Sequence, residues 1–273
     1  MRIETFERVV YEHNPLAEVV CQIQFGGVED LSEAEKETLL AAFTAASFPI
    51  FSEEVSFGFS QQILFDGAST PTVAPITLPQ SRIFHYASSD GVWRVSIAGE
   101  FVALTCLKYI GWDSFLPRML AVAHTFAAVR PNAEAKRLGL RYKDVIERER
   151  LGLVGTPWHE LIEPFLLGPL APNALAAGQI LAEDEVGNFS SQTLIRLDHA
   201  MLLLQSSLLA SLDGQRRAFL IDSDFFNEGD LESELLSNRH VLAARLEALH
   251  SGAGALFRRG ITKRLHDALQ PRS

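Results

Sequence analysis

A predicted strand at mid-chain, over residues 136–146, constrains the fold more than any other stretch of the sequence. Alternate positions hold apolar and basic side chains: the apolar ones are Leu138, Leu140, Tyr142 and Ile146, and the basic ones are Arg137, Arg141 and Lys143. Because successive side chains of a strand point to opposite faces, this alternation predicts one face on a hydrophobic core and one open face. The chain is therefore expected to build a sheet with a polar side.

The elements predicted before and after residue 132 follow a similar order. Residues 1–132 suggest strand, helix, four strands and helix, and residues 133–273 suggest strand, helix, three strands and two helices. Runs of antiparallel strands with helices at their ends are typical of an α+β fold. We predict two similar α+β halves, 1–132 and 133–273, with mostly antiparallel sheet and helices on one face. The repeat is one of pattern, an internal duplication without evident residue identity.

Periodicity and turn residues give approximate bounds for these elements. Helices are expected after a Ser32–Glu35 capping box, over 114–129, over 157–167, and twice near the C-terminus with Ser251–Gly254 as the connector. The Pro-rich segment 66–80 is predicted to be a loop that acts as a lid, covers an edge or forms a flexible excursion. The predicted strands lie at about 18–25, 54–65, 81–87, 92–98, 100–108, 136–147, 177–187, 192–205 and 215–223.

Composition narrows the classes of function. The chain has 273 residues, 47% of them hydrophobic, which is enough for a sizeable core. The formal net charge of -10 argues against binding to duplex nucleic acid, which needs a basic face. No apolar run approaches the roughly 20 residues of a membrane span. Cys21 and Cys106 lie in apolar alternating runs and are predicted to be buried free thiols, which suits a cytoplasmic protein.

Motifs that would indicate catalysis are not found in the sequence. It has no phosphate loop, dinucleotide fingerprint, nucleophile elbow or zinc-binding His-Glu-x-x-His, and its histidines do not pair at ligand spacing. Asp222 and Asp224 could offer two carboxylates to a hard cation. Acidic residues just before a helix also cap its free N–H groups, and we favour that role. No catalytic residue, metal or cofactor is predicted.

Polar side chains occupy the non-core positions of several predicted strands. They could form a solvated sheet face with cross-strand ion pairs, such as Glu18 with Arg141. Alternatively they form a binding face, because arginine is suited to bidentate recognition of carboxylate or phosphate groups. The candidate binding residues are Glu18, Gln22, Gln24, Arg94, Arg141, Lys143 and Arg196, and Gln62 occupies a similar position.

Several motifs run nearly from end to end of the chain. They are Asn14 to Val20, Trp93-Arg94-Val95, Phe101 with Leu104, Tyr109, Trp112 and Phe115, then Arg137 to Tyr142, Asp222 to Phe225, and Leu249-His250 with Phe257, Ile261 and Thr262. With these motifs the sequence resembles a sporadically distributed, uncharacterised prokaryotic family. It departs from that family in having one proline before Leu16 and Lys143-Asp144 where an asparagine usually follows. The resemblance implies a soluble prokaryotic protein of unknown function that is often encoded patchily, as accessory or defence genes are. It implies no catalytic residues.

Two hypotheses of function follow. The preferred one is a non-enzymatic binding protein that acts with a protein partner or as a homo-oligomer, as a component of a defence or toxin–antitoxin-like module. The alternative is a small-ligand-binding or hydrolytic protein with its pocket between the sheet and the helices and the 66–80 loop as lid. Neither nucleic acid nor membrane is an expected partner.

Overall fold

The computed structural model describes residues 9–26, 30–56, 59–64, 72–77, 81–173, 182–211, 216–229 and 231–272, with the side chains of 56, 59–64, 72–77 and 81 outside the description. The helices are α1 (Glu33–Ala45), α2 (Trp112–Val129), α3 (Pro164–Leu167), α4 (Arg239–Gly260) and α5 (Lys263–Ala268). The strands are β1 (Val10–Tyr11), β2 (Leu16–Phe25), β3 (Ile50–Ser56), β4 (Phe59–Leu64), β5 (Thr72–Thr77), β6 (Ser81–Ala87), β7 (Trp93–Ala98), β8 (Phe101–Cys106), β9 (Ala135–Glu147), β10 (Phe189–Arg196), β11 (Met201–Ala210), β12 (Arg217–Glu228) and β13 (Pro271–Arg272).

One nine-stranded sheet runs through both parts of the chain, in the order β10-β11-β12-β9-β2-β8-β7-β6-β3. Its neighbouring strands are antiparallel, which confirms the predicted α+β class. The opening strands of the two predicted halves, β2 and β9, lie side by side at its centre, with Val20 opposite Arg141. Residue 132 falls in the turn between α2 and β9. The division into two domains and the internal duplication stay predictions.

Helices α1, α2 and α4 pack on one side of this sheet, which we call the covered face. Phe25 of β2 stacks on Phe126 of α2 with ring centroids 4.8 Å apart. Helix α4 crosses β12 so closely that a Cβ on Gly252 would lie 3.0 Å from the ring of Phe225. The predicted placement of helices on one face is therefore confirmed.

The predicted core side of β9 is buried. Leu138 and Leu140 are fully buried and Tyr142 and Ile146 nearly so. On the same face lies Asp144, a carboxyl group that is 4% exposed and that sequence analysis did not assign to the core. Elsewhere Cys21 and Cys106 are buried and unpaired, as predicted.

Some predicted strands are divided differently in the structure. The strand expected at 54–65 is two strands, β3 and β4, and the one expected at 192–205 is β10 and β11. In the latter a tight turn, in which the Leu197 amide donates to the Ala200 carbonyl oxygen, separates the weakly alternating first part from the apolar second part. Part of the expected 66–80 loop is β5, and its other residues lie outside the described chain. The strand expected at 177–187 is described only from residue 182, where a 3₁₀ turn occupies Glu183–Glu185.

Helix bounds also differ from the sequence prediction. The helix expected at 157–167 is a 3₁₀ turn over Trp158–Glu160 followed by the short α3. Ser251–Gly254 is not a connector, because α4 continues through it to Gly260. The burial of Leu249, Ala253 and Leu256 against the sheet outweighs the low helix propensity of two glycines.

Candidate binding face

All seven candidate binding residues lie on the sheet face opposite the helices, which we call the open face. Glu18, Gln22 and Gln24 project from β2, and Arg141 and Lys143 from β9, so five of the seven meet at the centre. Arg94 on β7 and Arg196 on β10 lie three strands to either side of β9, about 14 Å away at the usual strand spacing. They flank the central group and do not join it. The side chain of Gln62 is outside the description.

Three ion pairs hold the central group together across β2, β9 and β12. Arg141 donates from Nε to Asp222 Oδ1 at 2.7 Å and from Nη2 to Asp222 Oδ2 at 2.6 Å. Arg137 Nη2 donates to Asp224 Oδ2 at 2.6 Å. Lys143 Nζ donates to the carboxylate of Glu18. Strand β9 is thereby bonded through its side chains to both neighbouring strands.

Two sequence interpretations are corrected by these pairs. Glu18 does not pair with Arg141, because the register of β2 and β9 places it opposite Lys143. Asp222 and Asp224 do not cap a helix, because β12 continues to Glu228 and both carboxylates face arginines of β9. Among the residues with a described placement, no group of three or more His, Cys, Asp or Glu side chains is positioned to hold a metal ion.

Gly139 explains how Arg137 reaches the neighbouring strand. A Cβ at Gly139 would lie 2.5 Å from Nη1 of Arg137 and 3.3 Å from Oδ1 of Asp224. The guanidinium crosses over the space where a side chain would stand, and it stacks on Phe226 with 4.1 Å between Cζ and the ring centroid. The glycine of the mid-chain motif therefore serves a close approach of side chains on the open face.

Arg141 is the most exposed member of the two arginine pairs. Its side chain is 43% exposed, while that of Asp222 is 5% exposed. The hydrogen bonds that Asp222 accepts raise the pKa of Arg141; burial opposes this shift, and the charges of Asp222, Asp224 and Glu18 add to it. Nη1 has no partner among the described residues, so Asp222 fixes the guanidinium with an N–H edge towards solvent. Such an edge can receive a carboxylate or phosphate with both of its oxygens.

A second polar cluster lies on the covered face. Tyr142 Oη lies 2.7 Å from Nδ1 of His250, and Trp112 stacks on the same imidazole with 4.1 Å between centroids. Trp112 Nε1 donates to Oε2 of Glu247 at 2.6 Å. Burial raises the pKa of Tyr142 well above its ordinary value. This cluster ties β9 to α2 and α4, and the spacing of its members in the sequence gave no signal for it.

Asp144 also belongs to the covered face, beside Leu16 of β2 in the register. Burial, with a smaller contribution from the charge of Asp222, raises its pKa from 3.8 to about 8. The group therefore binds a proton in the folded protein at pH values where an exposed aspartate is ionised.

Comparisons with known proteins add little to this geometry. No family model and no curated protein matches the chain. Among solved structures, the S. pombe Pct1 RNA triphosphatase in complex with the Spt5 CTD is similar at 7% identity, over 97% of this chain and 88% of that chain, with a TM-score of 0.14. A TM-score of this size supports no conclusion about fold or function. Within the described residues, the helices are too short or too polar to span a bilayer.

Proposed function

We propose that this protein is a non-enzymatic binding protein whose open face, centred on Arg141, recognises a protein partner through a carboxylate group. The single observation that carries the proposal is the Arg141–Asp222 pair. A nearly buried carboxylate holds a guanidinium in a fixed orientation, and the side chain that carries this guanidinium is 43% exposed.

The energetics of the ion pairs support this proposal. An exposed pair contributes about 0–1 kcal/mol, and replacing a buried pair by apolar residues is often neutral or stabilising. Stability alone therefore does not account for three pairs on adjacent strands of a sheet whose other face already carries the core. Fixed donors are what recognition requires, since they lose less conformational entropy when a partner binds.

Two charges of each sign surround the neutral Arg141–Asp222 pair, so a highly charged ligand is not favoured. Arg137 and Lys143 are balanced by Asp224 and Glu18, and Gln22 and Gln24 add neutral amides that bond to each other at 3.0 Å. A single carboxylate within a largely polar protein surface fits such a face better than a polyphosphate or a nucleic acid. This agrees with the net charge of the chain.

The alternative, a pocket between sheet and helices, receives less support. The space beneath α2 is filled by Phe115, Met119 and Phe126, which are all fully buried. The Tyr142–His250 cluster is likewise packed between the elements. We retain a cytoplasmic location, with its reducing environment, as part of the proposal because both thiols are buried and unpaired. A defence or toxin–antitoxin-like role also stays part of it.

Partner capture from the native host tests this function. The tagged wild-type protein, Arg141→Ala and the control Arg150→Ala are purified in parallel, each is shown to be folded by circular dichroism, and bound proteins are quantified by mass spectrometry. Arg150 is suitable because its side chain is 77% exposed and lies outside the sheet. We expect a partner with the wild type and Arg150→Ala that is lost with Arg141→Ala. Equal capture by all three proteins, or capture by none, would count against the proposal.

A further inference from the structure

The two edges of the nine-stranded sheet are protected to different degrees. An edge strand exposes unpaired backbone N–H and C=O groups, and proteins usually protect it with charges, proline, a bulge or a short length. Strand β3, at one edge, carries Glu53 and Glu54 side by side. Strand β10, at the other edge, has the sequence Phe-Ser-Ser-Gln-Thr-Leu-Ile-Arg, with no proline and no charge before Arg196.

Strand β10 is also long, regular and accessible. It pairs with β11 over eight consecutive residues without a register shift, so no bulge turns its edge away. Residues 190–194 are all exposed, and the side chain of Leu194 stands in solvent at 59% exposure. Among the described residues, the 3₁₀ turn at Gly168–Leu170 contacts β10 at Phe189, the first residue of the strand. Among the residues that the structure describes, no strand pairs with the outer edge of β10.

We propose that β10 pairs antiparallel with β10 of a second copy of this chain, across a twofold axis at Gln192. Residues that pair across the joined strands must lie on the same face of the sheet. A twofold axis perpendicular to the sheet must therefore lie between the two copies of a single residue, which pair with each other. Centred on Gln192, the register joins Ser191 to Thr193, Phe189 to Ile195 and Ser190 to Leu194. The hydroxyl groups of Ser191 and Thr193 then lie opposite each other. The half-buried side chains of Phe189 and Ile195 also lie opposite each other, on the face that carries the helices.

The register centred on Thr193 is less complementary. It would place Ser191 opposite Ile195 and Gln192 opposite Leu194, which makes two kinds of polar–apolar pair where the Gln192 register has one. It would also place Ser190 opposite the charge of Arg196. A self-pairing strand must also avoid like charges opposite each other. The Gln192 register does so, because the nearest charged residue, Arg196, lies beyond the paired segment. These features favour a second copy over an unrelated charged peptide.

The proposed dimer has a consequence for the open face. A twofold axis perpendicular to the sheet keeps the helices of both copies on one side and the open faces on the other. The two Arg141 sites of the dimer would then face the same direction. A partner that binds both sites at once would bind with a higher overall affinity than one that binds a single site. The dimer itself does not depend on the proposed function, because it is measured without a partner.

Disulfide capture tests the register directly. In Gln192→Cys the two introduced thiols would face each other across the axis, at the roughly 4.5–5.5 Å Cα separation that a disulfide accepts. The native cysteines are buried and give no background. The control is Ser52→Cys, an exposed position on the opposite edge strand β3. We expect covalent dimer from Gln192→Cys under mild oxidation and not from Ser52→Cys; similar cross-linking of both, or of neither, would overturn the proposal.

Sedimentation of the full chain supplies a second and independent readout. Gln192→Lys would bring two ammonium groups together at the axis, whereas Ser52→Lys adds the same charge at the other edge. We expect a dimer for the wild type and for Ser52→Lys, and a folded monomer for Gln192→Lys. A wild-type protein that is monomeric at all accessible concentrations, or a Gln192→Lys protein that remains dimeric, would refute the pairing.

Discussion

The side chains on the two faces of β9 are held by different interactions, apolar burial on one face and ion pairs on the other. On the covered face, Leu138, Leu140 and Tyr142 are removed from water and pack beneath helices. On the open face, Arg137 and Arg141 are held by carboxylates of β12 and remain partly accessible. Burial of apolar area is the main favourable contribution to folding, whereas a partly exposed ion pair contributes little net free energy.

This difference separates what the sheet needs to fold from what it presents to other molecules. Substitutions on the covered face should lower the stability of the fold. Substitutions on the open face that preserve neutrality should leave stability nearly unchanged and alter recognition. The following predictions test this division, beginning with the largest expected effect.

Leu140→Ala should destabilise the protein by about 2–5 kcal/mol, because it leaves a cavity in a fully buried part of the covered face. Chemical denaturation measures the change in the free energy of unfolding. A denaturation midpoint equal to that of the wild type would mean that the two faces of β9 have been assigned the wrong way round.

Asp144→Asn should change the pH dependence of stability. The folded-state pKa of Asp144 is raised to about 8 from 3.8, so between these values the folded protein binds a proton that the unfolded chain does not. Its contribution to stability is complete below pH 4 and is lost as pH rises towards 8. The wild type should lose up to about 1.4 kcal/mol per pH unit relative to Asp144→Asn, or roughly 3 kcal/mol between pH 5 and 7.

The control for this titration is Asp184→Asn, which removes an exposed carboxyl group. Urea denaturation of the three proteins at a series of pH values gives the comparison. Parallel stability curves for the wild type and Asp144→Asn would show that Asp144 is not held protonated on the covered face.

Val19→Ala and Val20→Ala form a matched pair, since the two residues are adjacent on β2 and point to opposite faces. Val19 is fully buried, and Val20 is half-buried on the open face opposite Arg141. We expect a loss of about 1–3 kcal/mol for Val19→Ala and less than about 1 kcal/mol for Val20→Ala. Thermal unfolding of both variants measures the loss of stability. Equal losses for the two variants would contradict the assignment of Val19 to the covered face and Val20 to the open face.

The sequence predicts the faces of individual strands better than it predicts which strands meet. The alternation over 136–146 identifies both faces of β9, because the period of a strand is fixed by its geometry. The partner of Arg137 could not be read in the same way, since Asp224 lies 87 residues further along the chain. Its position depends on β12 folding next to β9, and the sequence alone specified neither that neighbour nor the register.

Local signals also failed where tertiary packing opposes them. The glycines of 251–254 predicted a connector, but contact with Phe225 favours a continuous α4. Asp144 occupies a core position of β9 although a charged side chain predicts exposure. In each of these places the local preference of the residues is overruled by packing on the covered face.

The double variant Arg141→Gln/Asp222→Asn tests the division between the two faces most directly. It removes the guanidinium and keeps a neutral pair that can still form hydrogen bonds, so Asp222 is not left as a buried, unpaired charge as it would be in Arg141→Ala. Its free energy of unfolding and its capture of the native partner are measured on the same preparation. We expect a free energy of unfolding within about 1 kcal/mol of the wild type and a loss of partner capture. A stable double variant that captures the partner as the wild type does would contradict the assignment of the open face to recognition.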